Sequence, residues 1–473
     1  MKALMDNDLF AIDQAHIWHP YTQHKVSASP LLVKKAQGEF LYVVDEFGQE
    51  KKLIDGISSW WVNIHGHCNP YIANAIKKQL DTHEQVIFAG LTHEPAIQLI
   101  EKLLPILPVA DINSNSFNQR FLSRAFFSDN GSTAVEVGIK MAIQYFYNQG
   151  NHKRNRIIAF KDSYHGDTVG AMSSSGSAVF HEAFKSLVFP VHFVSSPSAD
   201  GHYSHPNLSA ANKKLLKLEA QEIAEQNALG DICELLNKYP DEICAIVIEP
   251  LVQGAGGMKF HRNQFLQKLR KLTSDFGILL IADEVFTGFG RTGSDFACKQ
   301  ASIVPDIICL SKAITGGFMP MGLTVTTEQV YSAFHSDSRL KTFFHGHSYT
   351  GNSLSCSAAV ASLELYQAEN RIEDVKYINL RMRGELLGDE LYNHHLIKDI
   401  RILGAIAVIE FQSSAKDGYL SEIGPLLTKK FLERNILLRP LGNVLYFLPP
   451  YTISVESLEY TLNSIRQIIL EGF

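Results

Sequence analysis

Five short, uninterrupted apolar runs separated by longer amphipathic stretches constrain this chain more than any other feature. They are Ala125–Phe127, Ile157–Phe160, Ala245–Ile248, Ile278–Ala282 and Ile307–Leu310. None alternates apolar with polar residues, as a strand with one wet face would. Strands apolar on both sides must be covered on both sides, the condition inside a mostly parallel sheet flanked by helices. Ala134–Tyr147 and Asn263–Asp275 suit those helices. The alternation predicts an α/β fold with a large central domain.

Outside that region the signals are local. Leu31–Val33 and Phe40–Val44 predict strands, and Asp45–Gly48 the turn that follows. Asn69 and Pro70 predict a capped helix start, with Tyr71, Ile72, Ala75, Ile76 and Leu80 on its apolar face. Ser195–Pro206 reads as a surface excursion and Asn212–Gln226 as an exposed polar helix. After residue 350, a helix over Ser355–Tyr366 leads to strands expected at Ala405–Phe411, Ile436–Arg439 and Val444–Leu448.

Composition excludes several function classes. A net charge of −6 shows no basic excess that would draw a nucleic acid. No apolar run approaches the ~20 residues that cross a bilayer, so no membrane partner is expected. Met1–Phe10 carries Asp6 and Asp8 and no apolar segment of the kind a secretory signal needs. The six cysteines include no CxxC pair and fit a reducing compartment. These readings predict a cytoplasmic protein.

In open α/β sheets ligands bind at the carboxyl ends of the strands, so the polar residues after each apolar run matter most. Asp283 and Glu284 follow one run, Ser311 and Lys312 another, and Ser128–Thr133 a third, where a helix begins. Tyr164, His165 and Gly166 follow a fourth. A desolvated lysine at a strand end can act as an amine nucleophile, although a lone lysine is more often a snorkelling surface residue. Asp283 alone could be a cap or half of an ion pair. Together the two match what pyridoxal 5′-phosphate needs, an amine for its aldehyde and a carboxylate for its pyridine nitrogen. Gly131-Ser132-Thr133 at a helix start offers amides and hydroxyls to a phosphate, against the plainer reading of simple capping. Tyr164 and Val285 are candidates for the two ring faces, and plain packing is the alternative for each.

Two motifs are set aside. Gly288–Gly293 matches GxGxxG but begins five residues after Asp283, and no ribose-binding acid follows the next strand. The triplets His65–His67 and His345–His347 lack further ligands at metal spacing, so no metal is expected.

The stretch Ala282–Gly293, followed by Leu310-Ser311-Lys312-Ala313, resembles the signature of class III aminotransferases. The resemblance runs over nearly the whole chain. It implies a fold-type-I, aspartate-aminotransferase-like architecture, a pyridoxal 5′-phosphate cofactor and a homodimer with active sites at the subunit interface. Residues 1–70 and 346–473 would form one small α+β domain, with 71–345 as the large cofactor-binding domain.

Four further segments narrow the resemblance: Ile17–Thr22, Asp55–Trp61, Tyr164–Thr168, and Arg439–Gly442 with Leu448–Tyr451. They are similar to the members that convert 8-amino-7-oxononanoate to 7,8-diaminononanoate in biotin biosynthesis, with S-adenosylmethionine as amino donor or lysine as the alternative. By that resemblance Lys312 would hold the cofactor as a Schiff base, Asp283 would face the pyridinium nitrogen, and Tyr21 would join the catalytic set. Gly131 and Ser132 would bind phosphate with Ser348 of the other subunit, and Tyr164 would stack on the ring. Trp60, Trp61, Tyr164, Arg291, Gly346 and Arg439 would form the substrate pocket, Arg439 pairing the substrate carboxylate. Rival readings are another class III activity (an ω-amino-acid aminotransferase or an aminomutase) and a non-catalytic cofactor-binding protein.

Overall fold

The computed structural model describes residues 6–109, 121–176, 178–199, 210–413 and 418–472. Each of the five apolar runs is a strand of one seven-stranded sheet. In chain order its strands are β1 (Leu122–Ser128), β2 (Arg156–Phe160), β3 (His192–Val194), β4 (Ile243–Ile248), β5 (Leu279–Asp283), β6 (Ile307–Leu310) and β7 (Gly322–Thr327). In space they run β1-β7-β6-β5-β4-β2-β3. β3, β2, β4, β5 and β6 pair in parallel, and β7 lies antiparallel to both β6 and β1.

The reason those runs do not alternate is visible in the core. Ile157, Ala245, Val247, Leu279, Ile281, Ile307 and Cys309 face one side, where the helix Gly131–Asn148 supplies Ala134, Val135, Val137 and Met141. Their neighbours Ile158, Ile246, Leu280, Ala282, Ile308 and Leu310 face the other side, against Phe265, Leu266 and Leu269 of the helix Asn263–Asp275. Period two of the strand therefore sends every side chain into one of two dry layers.

Two strands are not announced by periodicity: β3, which is only three residues long, and β7, where Gly-Leu-Thr-Val-Thr-Thr alternates and yet is buried throughout. Its hydroxyls are accommodated by local acceptors, with Thr324 Oγ1 donating to Ala134 O (2.7 Å) and Thr326 Oγ1 to Asp306 O (2.9 Å). A buried polar group with a partner costs little.

The two chain ends share a sheet. Leu32–Gln37, Phe40–Val44 and Glu50–Asp55 form an antiparallel meander, and Ile436–Leu437 joins it parallel to the last strand, Leu437 opposite Asp55. Ile397–Leu403, Ile406–Phe411 and Val444–Phe447 form a separate antiparallel sheet. The strand expected to reach Arg439 stops at Leu437. Asn69 caps Pro70–Leu80 as expected, its side chain accepting from Tyr71 N. The helix expected at Asn212–Gln226 is longer, Ala210–Lys238; Leu215, Leu218 and Ile223 are exposed, whereas Ala228, Ile232 and Leu236 are buried. Residues 200–206 of the expected surface excursion lie outside the described residues. Among the described residues no helix is long and apolar enough to cross a membrane.

Candidate active site

Four neighbouring strand ends converge on one cavity of about 730 Å³. β5 ends on Asp283, and β6 is followed by Ser311 and Lys312. β4 is followed by Glu249, and the loop after β2 carries Tyr164 and His165. The helix Gly131–Asn148 points its first turn into the same space.

Asp283 is buried and held from two sides. Its Oδ2 accepts from His165 Nδ1 at 2.7 Å and its Oδ1 from Val285 N at 3.1 Å. Burial opposes a charge on His165, but the hydrogen bond and charge of Asp283, with Glu249 behind it, outweigh that and raise the imidazole pKa. Lys312 has the opposite balance. Desolvation pushes its ammonium pKa down, and the attraction of Asp283 and Glu249 recovers only part of the loss. Its Nζ lies 5.1 Å from the centre of the Trp61 ring. Glu249 is pushed up to about 7 by burial, while its two oxygens accept from Tyr164 N (3.0 Å) and Gly254 N (2.9 Å).

At the helix start Asn130 caps reciprocally with Thr133, so the plain capping role is realised by Asn130. The Gly131 and Ser132 amides, with the positive end of the helix, are left for an anion. The Ser132 hydroxyl accepts from Thr168 N (3.0 Å) and pairs with Thr168 Oγ1 (2.7 Å). Space is tight: a Cβ on Gly131 would lie 2.5 Å from Val285 Cγ1, and one on Gly166 2.2 Å from Ser132 Oγ.

From Tyr164 a chain of contacts runs outside the cavity lining, through Tyr21 and Trp60, to Arg439. The Tyr21 and Tyr164 hydroxyls lie 3.1 Å apart, and both donate to Asp167 Oδ2. Burial, with Asp167 beside it, pushes the Tyr21 phenol up to about 12. The Tyr21 ring meets Trp60 edge-on at 5.7 Å, and the Arg439 guanidinium lies over the Trp60 ring at 4.7 Å.

The two tryptophans sit on an unusual piece of backbone. Ser58, Ser59, Trp60 and Trp61 all have positive φ, at 50°, 45°, 68° and 76°. They form one left-handed turn, closed by Trp61 N to Ile57 O (2.8 Å) and Val62 N to Ser58 O (3.0 Å). Left-handed geometry costs about 1–2 kcal/mol for each such residue, so the turn exists only because its surroundings hold it.

Several expected residues are brought together: Lys312, Asp283, Gly131, Ser132, Tyr164 and Trp61 all line the cavity. Arg291 is different. Expected on the pocket wall, it is 1% exposed and lies behind Trp61, donating to Trp61 O (3.4 Å) and Pro449 O (3.2 Å) over the Tyr451 ring. The signature motif marks its importance but not its direction. Gly346 and Ser348 lie on an exposed segment and do not line the cavity of their own chain; Ser348 O accepts from Gln85 Nε2 at 2.8 Å. His165, Glu249 and Asp167 are cavity residues to which the sequence reading attached no role. Glu249 stands directly after β4, where the strand-end rule already pointed.

Residues 21–469 match the family of class-III aminotransferases. The chain is 44% identical over 460 residues to the adenosylmethionine-8-amino-7-oxononanoate aminotransferase of Synechococcus elongatus, covering 96% of this chain and 99% of that one. Against the protein of the same name from Geobacter sulfurreducens the identity is 37%, covering 97% and 96%. The crystal structure of the Methanocaldococcus jannaschii protein of that name superposes with a TM-score of 0.84 at 33% identity, covering 98% and 99%. An amine transaminase from an uncultivated Pseudomonas species, solved in a PLP-bound form, gives 0.82 at 25% identity, covering 96% and 98%. The match takes in the strand-end lysine, its aspartate and the anion-ready helix within one continuous fold, and by it this chain belongs to the class III aminotransferases.

Proposed function

We propose that this chain is a pyridoxal 5′-phosphate-dependent aminotransferase that converts 8-amino-7-oxononanoate to 7,8-diaminononanoate, with S-adenosylmethionine as amino donor. The observation that carries the reading is the meeting of Lys312, Asp283 and the Gly131 helix start in one cavity, with Arg439 at the far end of a chain of aromatic contacts. Identities of 44% and 37% to relatives named for this reaction support the substrate. The cavity residues fit the cofactor: a depressed lysine, a buried carboxylate, free helix amides, and a glycine at the one position where a Cβ would meet Val285.

When bound, pyridoxal phosphate supplies an electron sink for the bond to the substrate α-proton. The residues of the chain do the rest. Lys312, whose ammonium form burial disfavours, would hold the cofactor by its aldehyde carbon and would move the proton between the two carbons as base and acid. Asp283 accepts the pyridinium N–H, and His165 and the Val285 amide hold its carboxylate in place. Gly131 and Ser132 bind the phosphate, joined by Ser348 of a second copy, with Gly346 beside it. Tyr164 covers the ring, and Tyr21 with Asp167 orients the incoming amine. Trp60 and Trp61 cover the methylenes of the keto acid, and Arg439 pairs its carboxylate bidentately. Arg291 acts by supporting Trp61 from behind. Residues 1–70 and 346–473 form the small domain around the large one of 71–345, and the protein works as a cytoplasmic homodimer.

The test is to mix cofactor-loaded protein with S-adenosylmethionine or lysine, add the keto acid, and follow 7,8-diaminononanoate by mass spectrometry. Product with S-adenosylmethionine is expected. Product with lysine alone would reassign the donor, and none with either would refute the reaction.

A further inference from the structure

We infer that Asp55 is a positioning residue that holds the left-handed turn Ser58–Trp61, and thereby sets the substrate length the site accepts. Asp55 is fully buried at the end of its strand. Its Oδ2 accepts from Ser59 Oγ (2.8 Å) and His67 Nε2 (2.9 Å), and its Oδ1 from Ile57 N (3.3 Å). One carboxylate thus ties the residue before the turn, a residue within it and a side chain beyond it. Ser58 Oγ adds a bond to Leu448 O at 2.6 Å. No glycine eases the four positive φ values, so the conformation depends on these ties.

Handedness decides where successive side chains point. In this turn Trp61 faces inward, 5.1 Å from Lys312 Nζ and 4.5 Å from the Phe286 ring, while Trp60 faces outward under Arg439. Asp55 also pairs in register with Leu437, two residues before Arg439. Its neighbours make the ladder bonds there, Ile54 N to Asn435 O (2.9 Å) and Gly56 N to Leu437 O (3.1 Å), so the turn held by Asp55 starts directly beside the strand that leads to Arg439. Relaxing the turn would shift Trp60 and Trp61 from their places beside Arg439 and Lys312, and with them the chain length that fits between those two residues. This rests on the proposal that Arg439 and Trp60 bind the remote end of the keto acid.

The chain has three tryptophans, so Trp18→Phe leaves only the turn to report in fluorescence. In that background, with cofactor-loaded protein, three variants separate the ideas. Asp55→Asn cannot accept from all three donors, because one oxygen becomes an amide donor. Ser59→Gly and Ser59→Val remove the same hydroxyl but differ in tolerance of positive φ. Asp55→Asn and Ser59→Val are expected to red-shift the emission, increase acrylamide quenching of Trp61, and raise KM for the keto acid about tenfold or more with kcat little changed. Ser59→Gly should stay near the parent in all three. Unchanged emission and quenching in Asp55→Asn would overturn the clamp. A changed emission with unchanged KM would overturn its link to substrate length. Equal impairment of Ser59→Gly and Ser59→Val would overturn the dependence on handedness. A parent that does not turn over the keto acid would refute the proposed reaction, and emission would still judge the clamp.

Discussion

Gly131→Ala puts the packing of the cofactor cradle to a direct test. The added Cβ would lie 2.5 Å from Val285 Cγ1 and 3.1 Å from Cγ2, whereas carbons rest about 3.5–4.0 Å apart. Roughly 1 Å of overlap must be relieved. Val285 cannot shift freely, because its amide is bonded to Asp283 Oδ1 and Asp283 holds His165. The helix start is equally fixed by the Asn130–Thr133 cap. Overpacking of this kind costs about 1–3 kcal/mol. If that cost falls on the cofactor-bound form, affinity for pyridoxal phosphate drops roughly 5- to 150-fold at 1.4 kcal/mol per decade. Titration of the apoprotein by absorbance measures the loss. Adding Val285→Ala removes the clashing methyls, so the double variant should recover much of it, with a coupling of at least about 0.5 kcal/mol after correction for Val285→Ala alone. Cofactor binding within about twofold of wild type in Gly131→Ala, or no recovery in the double variant, would refute the argument.

Four other outcomes are expected. Because the Lys312 pKa is lowered, capture of pyridoxal phosphate by the apoprotein should rise with pH and level off below the 10.5 of an ordinary lysine. Asp283 raises that pKa, so Asp283→Asn should move the plateau to still lower pH while greatly reducing turnover; stopped-flow rates against pH check both, and a plateau above 10.5 would contradict the site electrostatics. Arg439→Ala should weaken use of the keto acid by about 2–4 kcal/mol, as removal of one partner does from a charge pair that the bound substrate covers, but leave its methyl ester much less affected; equal discrimination by mutant and wild type would remove Arg439 from the role. Ser348→Ala should weaken both cofactor binding and self-association, since a ligand bound only by the dimer stabilises it; sedimentation that finds a monomer with undiminished cofactor affinity would exclude the shared site.

Much of the site is legible in the sequence because strand ends are. A run such as Ile307–Leu310, too short for a helix and bounded by polar residues, reads as a buried strand, and the polar residues that follow it then stand at the strand's carboxyl edge, so Lys312 and Asp283 announce themselves. Glu249 obeys the same rule after Ala245–Ile248. The pairing of His165 with Asp283 joins residues 118 apart and depends on β2 and β5 flanking β4, which no local pattern encodes. β7 escapes periodicity because its threonines are buried against carbonyls rather than turned to water.

By itself, then, the sequence determined the α/β class, the positions of four of the five parallel strands and of the helices Gly131–Asn148 and Asn263–Asp275, and the kind of chemistry the strand ends could carry. These follow from hydrophobic period and residue type, which act over a few residues. Tertiary structure alone decided the direction of Arg291, buried behind Trp61, and the left-handed turn that presents Trp60 and Trp61. No intrinsic preference of Ser-Ser-Trp-Trp favours positive φ. That backbone is held by Asp55 and His67, which are close in sequence, and by Leu448 and Arg291, which reach it from 390 and 230 residues away only in the tertiary fold.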